Sequence, residues 1–390
     1  MVTSVKTLWL AAVYTALFGA WILARFIKLN WPAALAISCL KVTIPFFYFL
    51  EYFRHSWMLL DDISYYKAGV NLLYSGNSPF LIFLTSDGRT RLFKLAGGQH
   101  ALYYWYNLLA VYVFGPWYSS PVFLNVASTF ISGVFLYKMV VASEFGERYA
   151  RWLTVFFLLH WDLLSWSSFV NLKDTLVLML TIGAVYAGQE LVRTRRLRHL
   201  WLLAFFICCF WYIRLYLPAV LAVAFGMWFF LAVAGWARLL WVSAAMVAFY
   251  ISLPLNYSQF IPPSTLQNVG FGLLSVFLSP RPWSVDPSYS FIMPASVLHW
   301  IFFVPALIGA VGLCARNRNY QLSAILYLVT ACFYAFVPEI LTPRHRLHIL
   351  WVLVWAQFDF LWYLGSREPF WAELPFRTAA RGKALRGTNT

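Results

Sequence analysis

Residues Asp174-Thr175-Leu176-Val177-Leu178-Met179-Leu180-Thr181-Ile182-Gly183-Ala184-Val185-Tyr186-Ala187-Gly188 open an apolar run that is closed by Arg193-Thr194-Arg195-Arg196-Leu197-Arg198. The run, 174–192, comes close to the ~20 helical residues needed to cross a bilayer. A short loop this rich in arginine marks the cytoplasmic end of a span. Comparable runs lie at 7–24, 31–50, 120–141, 152–168, 200–214, 216–234, 239–257, 296–315, 321–338 and 349–365. The expected fold is therefore an all-α, polytopic membrane helical bundle of about eleven transmembrane helices.

Composition points the same way. With 62% hydrophobic and only 11% charged residues, the chain carries more apolar surface than one soluble core can bury. A net charge of +15 would suggest nucleic acid in a soluble protein, but here the basic residues sit in short loops between apolar runs. That is a topological pattern, and nucleic acid is not an expected partner. The cysteines Cys39, Cys208, Cys209, Cys314 and Cys332 lie inside apolar runs, odd in number and without ligand spacing. Neither a disulfide frame nor a cysteine metal site is expected. Lys6 precedes the first run, but no small-residue cleavage site follows and Arg25 and Lys28 close it, so it reads as a retained helix.

Counting crossings from the arginine loop places 51–119 outside as a structured first loop and 258–294 outside as a second. The basic segment 366–390 becomes a cytoplasmic tail, and 1–365 a single transmembrane domain. Turn signals at Gly76-Asn77-Ser78-Pro79 and Asp87-Gly88 mark the first loop as folded. Segment 101–117 must not span if the count is to hold. Its tyrosines and tryptophans suit a helix lying in the membrane interface.

The outer loops carry charge where charge is scarce. Asp61-Asp62, ahead of Tyr65-Tyr66, is the only adjacent acidic pair in the chain. Neighbouring carboxylates repel, which raises one of them toward a useful base; a helix cap at Asp62 is the alternative. Lys173-Asp174 opens the helix described above, with Asp174 well placed against its N-terminal dipole. Pro343-Arg344-His345-Arg346-Leu347-His348 opens the last helix on the side where positive charge is disfavoured. An anion gives that violation a reason, because guanidinium forks bind phosphate bidentately. Arg214, Arg281 with Trp283, and the intramembrane His160 and Asp162 are further candidates; a boundary marker, a stiff surface turn and a mutual pair are the plain readings of each.

These motifs resemble the GT-C superfamily of membrane glycosyltransferases, which includes protein O-mannosyltransferases and the aminoarabinose transferase of lipid A. The matching features are the acidic pair Asp61-Asp62 in the first large outer loop, Lys173-Asp174 at the start of a helix ending in arginines, and Pro343-Arg344-His345-Arg346-Leu347 at a late helix. The likeness spans roughly 50–365. An extra helix ahead of the acidic loop and the lack of a soluble C-terminal domain depart from the commonest pattern.

The resemblance implies transfer of a sugar from a polyprenyl-phosphate carrier to an acceptor hydroxyl on a glycan, lipid or protein. The reaction would invert the anomeric carbon and run on the extracytoplasmic side of a bacterial inner membrane. Asp61 is then the expected general base, with Asp62 and Asp174 as the other catalytic carboxylates. Arg344, His345, Arg346, Lys173, Arg214 and Arg281 are expected to bind the substrate, and Tyr65 and Tyr66 to stack on the sugar. Some relatives hold a divalent cation, Mg or Mn, and Asp61, Asp62 and Asp174 are oxygen ligands of the right kind. Two other functions remain open: a polymerase or ligase of lipid-linked polysaccharide, and a flippase or transporter of a lipid-linked sugar, for which broken helices and inverted repeats would be the signature. No repeat is visible.

Overall fold

A computed structural model describes residues 5–53, 60–97, 100–232, 266–285, 287–336 and 343–365; among these the regular structure is all helical, without a strand. The expected span 239–257, residues 258–265 of the second loop and the tail 366–390 lie outside the described residues. The stretch expected as one domain divides into two compact units of interleaved segments. One comprises Met1–Pro218, Pro280–Val297 and Thr342–His348; the other Ala219–Ser279, Leu298–Leu341 and Ile349–Thr390.

The first unit starts with α1 (Val5–Phe26) and α2 (Trp31–Phe47), which runs on through a π-helical turn, Tyr48–Tyr52. On α1 the small residues Ala11, Ala12, Ala16, Gly19 and Ala20 are buried together with Leu8, Ile22 and Leu23, while Trp9, Leu10, Tyr14, Leu17 and Trp21 are exposed. A packed side rich in small residues lets helices approach closely in lipid. The Ser38 hydroxyl donates to the Ala16 carbonyl at 2.7 Å, and a methyl group added at Gly19 would strike Ser38 and Phe130.

Then come α3 (Leu60–Tyr74), α4 (Ser86–Leu95) and α5 (Ala101–Phe114), which share a small core of Leu72, Ile82, Leu92, Ala96, Ala101 and Leu108. At 14 residues α5 is too short to span, yet Tyr103, Tyr106, Asn107, Leu108, Ala110 and Val111 are buried as it packs against α3 and α6. The central α6 (Ser119–Ala142) also packs against α1 and against α9 (Asp174–Thr194). Arg195, with φ of 52°, ends α9 in the left-handed region before α10 (Leu197–Trp211).

The run 152–168 is not one helix. It divides into α7 (Glu147–Leu158) and α8 (Trp161–Ser168) at Leu159–His160. Lys41 explains how the break is tolerated. Wholly buried in α2, it donates from Nζ to the Leu158 carbonyl at 2.8 Å, placing a cation donor at the negative end of α7.

The second unit takes most of α11 (Leu217–Ala232), then α12 (Leu266–Leu278), the end of α13 (Met293–Ile301), α14 (Phe303–Arg316), α15 (Arg318–Phe336) and α16 (Leu350–Gly365). The helix α12 falls inside the region expected as the second outer loop. Helices α14 and α16 pack closely, because Gly309 leaves no side chain between its backbone and the Ala356 carbonyl. At the end of α14, Arg316 pairs with the fully buried Asp359 at 2.6 Å and lies over the Tyr363 ring.

Among the described residues, five helices are long and apolar enough to cross a membrane: Val5–Phe26, Trp31–Tyr52, Ser119–Ala142, Asp174–Thr194 and Arg344–Gly365. A sixth is added if Tyr289–Ile301 and Phe303–Arg316, bent by 54°, form one span. These mark the chain as a membrane protein. Of the remaining described runs, α10 has 15 residues, α7–α8 is broken, and α15 carries Asn319, Gln321, Ser323 and Thr330; the description of α11 ends at Ala232.

Gly309→Ala should lower stability by about 1–3 kcal/mol, since the added methyl group meets backbone and not a yielding side chain. Gly270→Ala, in α12 with nothing within 4 Å, should be neutral or slightly stabilising. Thermal unfolding of the two variants in detergent measures the contrast.

Candidate functional site

The first unit brings charged groups from five parts of the chain together. Asp61 and Asp62 sit in the first turn of α3, where the helix dipole favours carboxylates. Successive helix residues point about 100° apart, so the two separate: Asp62 is fully buried and Asp61 half-exposed. The Tyr118 hydroxyl donates to Asp62 Oδ2 at 2.7 Å. The Asp62 carbonyl accepts from Asn171 Nδ2 at 3.0 Å. Asn171 also donates to Asn107 Oδ1 at 2.8 Å and accepts from the Tyr103 hydroxyl at 2.6 Å. This buried amide network pins the start of α3 to α5 and to the segment before α9, and so fixes where Asp61 projects.

Asp61 meets the 310 turn Pro343–Ile349: Arg344 Nη1 donates to its Oδ2 at 3.0 Å, although the two residues are 283 apart in sequence. Deeper in, Asp174 forms an ion pair with Arg214, both side chains being at least 96% buried. Arg214 also donates to the Tyr216 hydroxyl at 2.7 Å. Arg346 lies 3.7 Å from Asp162, the first-turn acid of α8, both buried. His345 and His348 are buried within electrostatic reach of Arg214 and Asp174.

Lys173 lies between the deep pair and the exposed one. Its Nζ is 2.8 Å from His100 Nε2 and 3.3 Å from the Tyr65 hydroxyl. His100 Nδ1 lies 2.9 Å from the Ile213 carbonyl, which can only accept, so the ring proton resides on Nδ1 and Nε2 accepts from Lys173. Burial, then the Lys173 charge, lowers His100 to about 4, which keeps this tautomer neutral. Burial, then Arg214, lowers Lys173 to about 7 against the pull of Asp174 and Asp61. Burial pushes the Tyr65 hydroxyl up, reinforced by Asp61 and Asp174.

The expected site residues therefore divide. Asp61, Asp174, Lys173, Arg214, Arg344, His345, Arg346 and Tyr65 come together. Tyr66 points away, its hydroxyl donating to the Pro116 carbonyl at 2.8 Å; it holds α3 in place instead of facing a sugar. Asp62 is committed to Tyr118 and acts as a positioning group. Arg281 is exposed beside the 310 turn Pro282–Ser284, and among the described residues no ion pair links it to the cluster. Asp162 lies 3.7 Å from Arg346, and the His160 ring lies 4.0 Å from that of Trp161.

The three candidate metal ligands go to three partners, Asp61 to Arg344, Asp62 to Tyr118 and Asp174 to Arg214. Among the described residues no group of three or more His, Cys, Asp or Glu is placed to hold a metal ion. The donor set does not fit a divalent cation in this arrangement. Sequence reasoning missed His100, Asn107, Asn171 as a hub, and Lys41. Only Lys41, a lysine inside an apolar run, left a signal; the left-handed His100, with φ of 61°, left none.

Arg214→Met alone should destabilise the protein by about 3–5 kcal/mol, because it strands Asp174 in a buried site. Pairing it with Asp174→Leu should recover most of the loss, as read by thermal unfolding. Comparison of the chain with protein-family models, curated proteins and solved structures finds no match.

Proposed function

We infer that the cluster is the active site of a membrane glycosyltransferase, one that moves a sugar from a polyprenyl-phosphate carrier to an acceptor hydroxyl. The observation that carries this reading is the meeting of Asp61 with Arg344 at 3.0 Å, beside Lys173 and the Asp174–Arg214 pair. A proton acceptor and an anion-binding guanidinium occupy one place, and that place is open to solvent at Asp61. The larger bundle of about eleven helices, a GT-C-like first loop and an extracytoplasmic site belong to the same reading.

In this reading the carrier phosphate docks on Arg344, with Arg346, His345 and Lys173 behind it. The bond from the anomeric carbon to the phosphate oxygen breaks, and its electron pair leaves with the phosphate. The acceptor oxygen bonds to the opposite face of that carbon, inverting it, and its proton passes to Asp61. Charge growing on the phosphate is met by cations already in place, the term that usually dominates catalysis. Before the donor arrives, Arg344 holds Asp61. A phosphate can engage the same guanidinium fork bidentately, so in this reading donor binding competes with Asp61 for Arg344 and frees the carboxylate to act as base. No step is assigned to a divalent cation, since the carboxylates face separate partners.

One observation favours a second reading, transport of the lipid-linked sugar. The helix α7–α8 is broken beside the buried Lys41, and Tyr289–Ile301 is bent against Phe303–Arg316 by 54°; transporters use such broken helices at their binding sites. Sugar crossing proteoliposomes without an acceptor, with no labelled glycoside formed, would favour transport.

Asp61→Asn should cut transfer from radiolabelled polyprenyl-phosphate sugar by about 10²–10⁴-fold while leaving carrier binding near normal; retained turnover removes Asp61 from its role. Arg344→Ala should weaken carrier binding, and an unchanged affinity would move phosphate recognition elsewhere. With Lys173 lowered to about 7, carrier affinity should fall above that pH by up to about tenfold per unit as the ammonium is lost. Lys173→Arg, which stays charged, should flatten the profile in titrations followed by tryptophan fluorescence.

A further inference from the structure

The loop joining α3 to α4 shows an arrangement that the catalytic reading does not use. At 78–84 the chain turns Ile82 into the small core shared by α3, α4 and α5, where it is 1% exposed. Its neighbours stay outside: Phe80 is 65% exposed, Leu81 55% and Leu84 76%. They are not loose. The Trp105 indole donates to the Pro79 carbonyl at 2.7 Å, and Phe80 makes an edge contact with Tyr112, whose own ring is exposed on α5 next to the exposed Val113. A fixed apolar ridge therefore runs from the loop tip along α5.

Behind the ridge the surface changes character. The helix α4 buries Gly88 and Leu92 and turns Arg89, Arg91 and Lys94 outward. Arg91 pairs with Asp87; among the described residues, neither Arg89 nor Lys94 has an acid within ion-pair distance. Between α3 and α4 lies an open cleft of about 500 Å³, lined by Asn71, Leu72, Ser75, Arg91, Lys94 and Leu95. Cations and amide or hydroxyl groups line its sides, and Leu72 and Leu95 its apolar parts.

We propose that this hairpin is a binding site for an anionic phospholipid of the surrounding bilayer: Arg91 and Lys94 receive the headgroup phosphate in the α3–α4 cleft while Phe80, Leu81 and Leu84 enter the acyl boundary. An apolar ridge backed by basic residues is the pattern by which structures lie in a membrane interface, and cations at that depth are drawn to anionic headgroups. A soluble phosphate would engage the cations but leave the ridge without a role. A lipid engages both. The site shares no residue with the Asp61–Arg344 cluster, so it does not depend on the glycosyltransferase reading.

Two measurements on the full-length protein test it. In native mass spectrometry of delipidated protein titrated with phosphatidylglycerol, Arg91→Gln/Lys94→Gln should weaken binding of one lipid by about tenfold or more relative to wild type. An excess of inorganic phosphate should not displace that lipid. In phosphatidylcholine–phosphatidylglycerol bilayers, a spin label at Leu84→Cys, with the native cysteines replaced by alanine, should collide with oxygen more than with a water-soluble nickel chelate. Equal lipid retention by wild type and double variant, displacement by free phosphate, or a water-exposed label overturns the proposal. Should the double variant fail to fold, the label on the otherwise intact hairpin decides.

Discussion

Asp174 and Arg214 stand 40 residues apart and are both almost wholly buried, so neither is tolerable without the other. An isolated charge in such a setting costs several kcal/mol, and a partner repays that only when the geometry is held firmly. The constraint reaches outward. The start of α9 must face the turn after α10, and the Tyr216 hydroxyl takes up a further guanidinium proton. Lys173, one residue before Asp174, then has to find acceptors of its own, and finds His100 and Tyr65. A gradient results, from a sealed pair at the bottom, through the half-hidden Lys173, to Arg344 and Asp61 at the mouth.

The mouth is shaped by an amide network, not by the charges themselves. Asn171 bonds to the Asp62 carbonyl, to Asn107 and to Tyr103, and three elements are thereby fixed around one side chain. Asp62 completes the frame from inside through Tyr118. The adjacent acids of α3 thus take different partners because of helix geometry alone: the inward one holds the helix through Tyr118, and the outward one meets Arg344.

How much of this could be read from the sequence depends on what each feature requires. Apolar runs such as 7–24 and 120–141 became α1 and α6 because length and composition suffice to form a membrane helix. Asp61 and Arg344 stood out because charge is scarce in this chain; that they meet is set by the fold. Breaks were not legible. Nothing in 152–168 announces a stop at Leu159, which is supported by a lysine more than a hundred residues earlier in the chain. The roles of Tyr65 and Tyr66 were likewise unreadable as a pair, since adjacency hides that one faces Lys173 and the other Pro116. His100 was invisible because its position rests on a left-handed backbone and a distant carbonyl.

Stability does not account for the cluster. A half-exposed pair such as Asp61–Arg344 contributes at most about 1 kcal/mol, and buried pairs such as Asp174–Arg214 are often matched or bettered by apolar residues of the same size. A bundle already rich in Leu, Phe and Trp has no shortage of such residues. Packing alone would not gather Lys173, Arg214, Arg344 and Arg346 at one place and then interleave them with Asp61, Asp162 and Asp174. Cations and carboxylates alternate there, and Asp61, Asp162 and Asp174 each face one guanidinium. Among those carboxylates Asp61 alone is half-open to solvent. Of these three ion pairs, Asp61–Arg344 is therefore the one that can open without leaving a carboxylate uncompensated in a buried site.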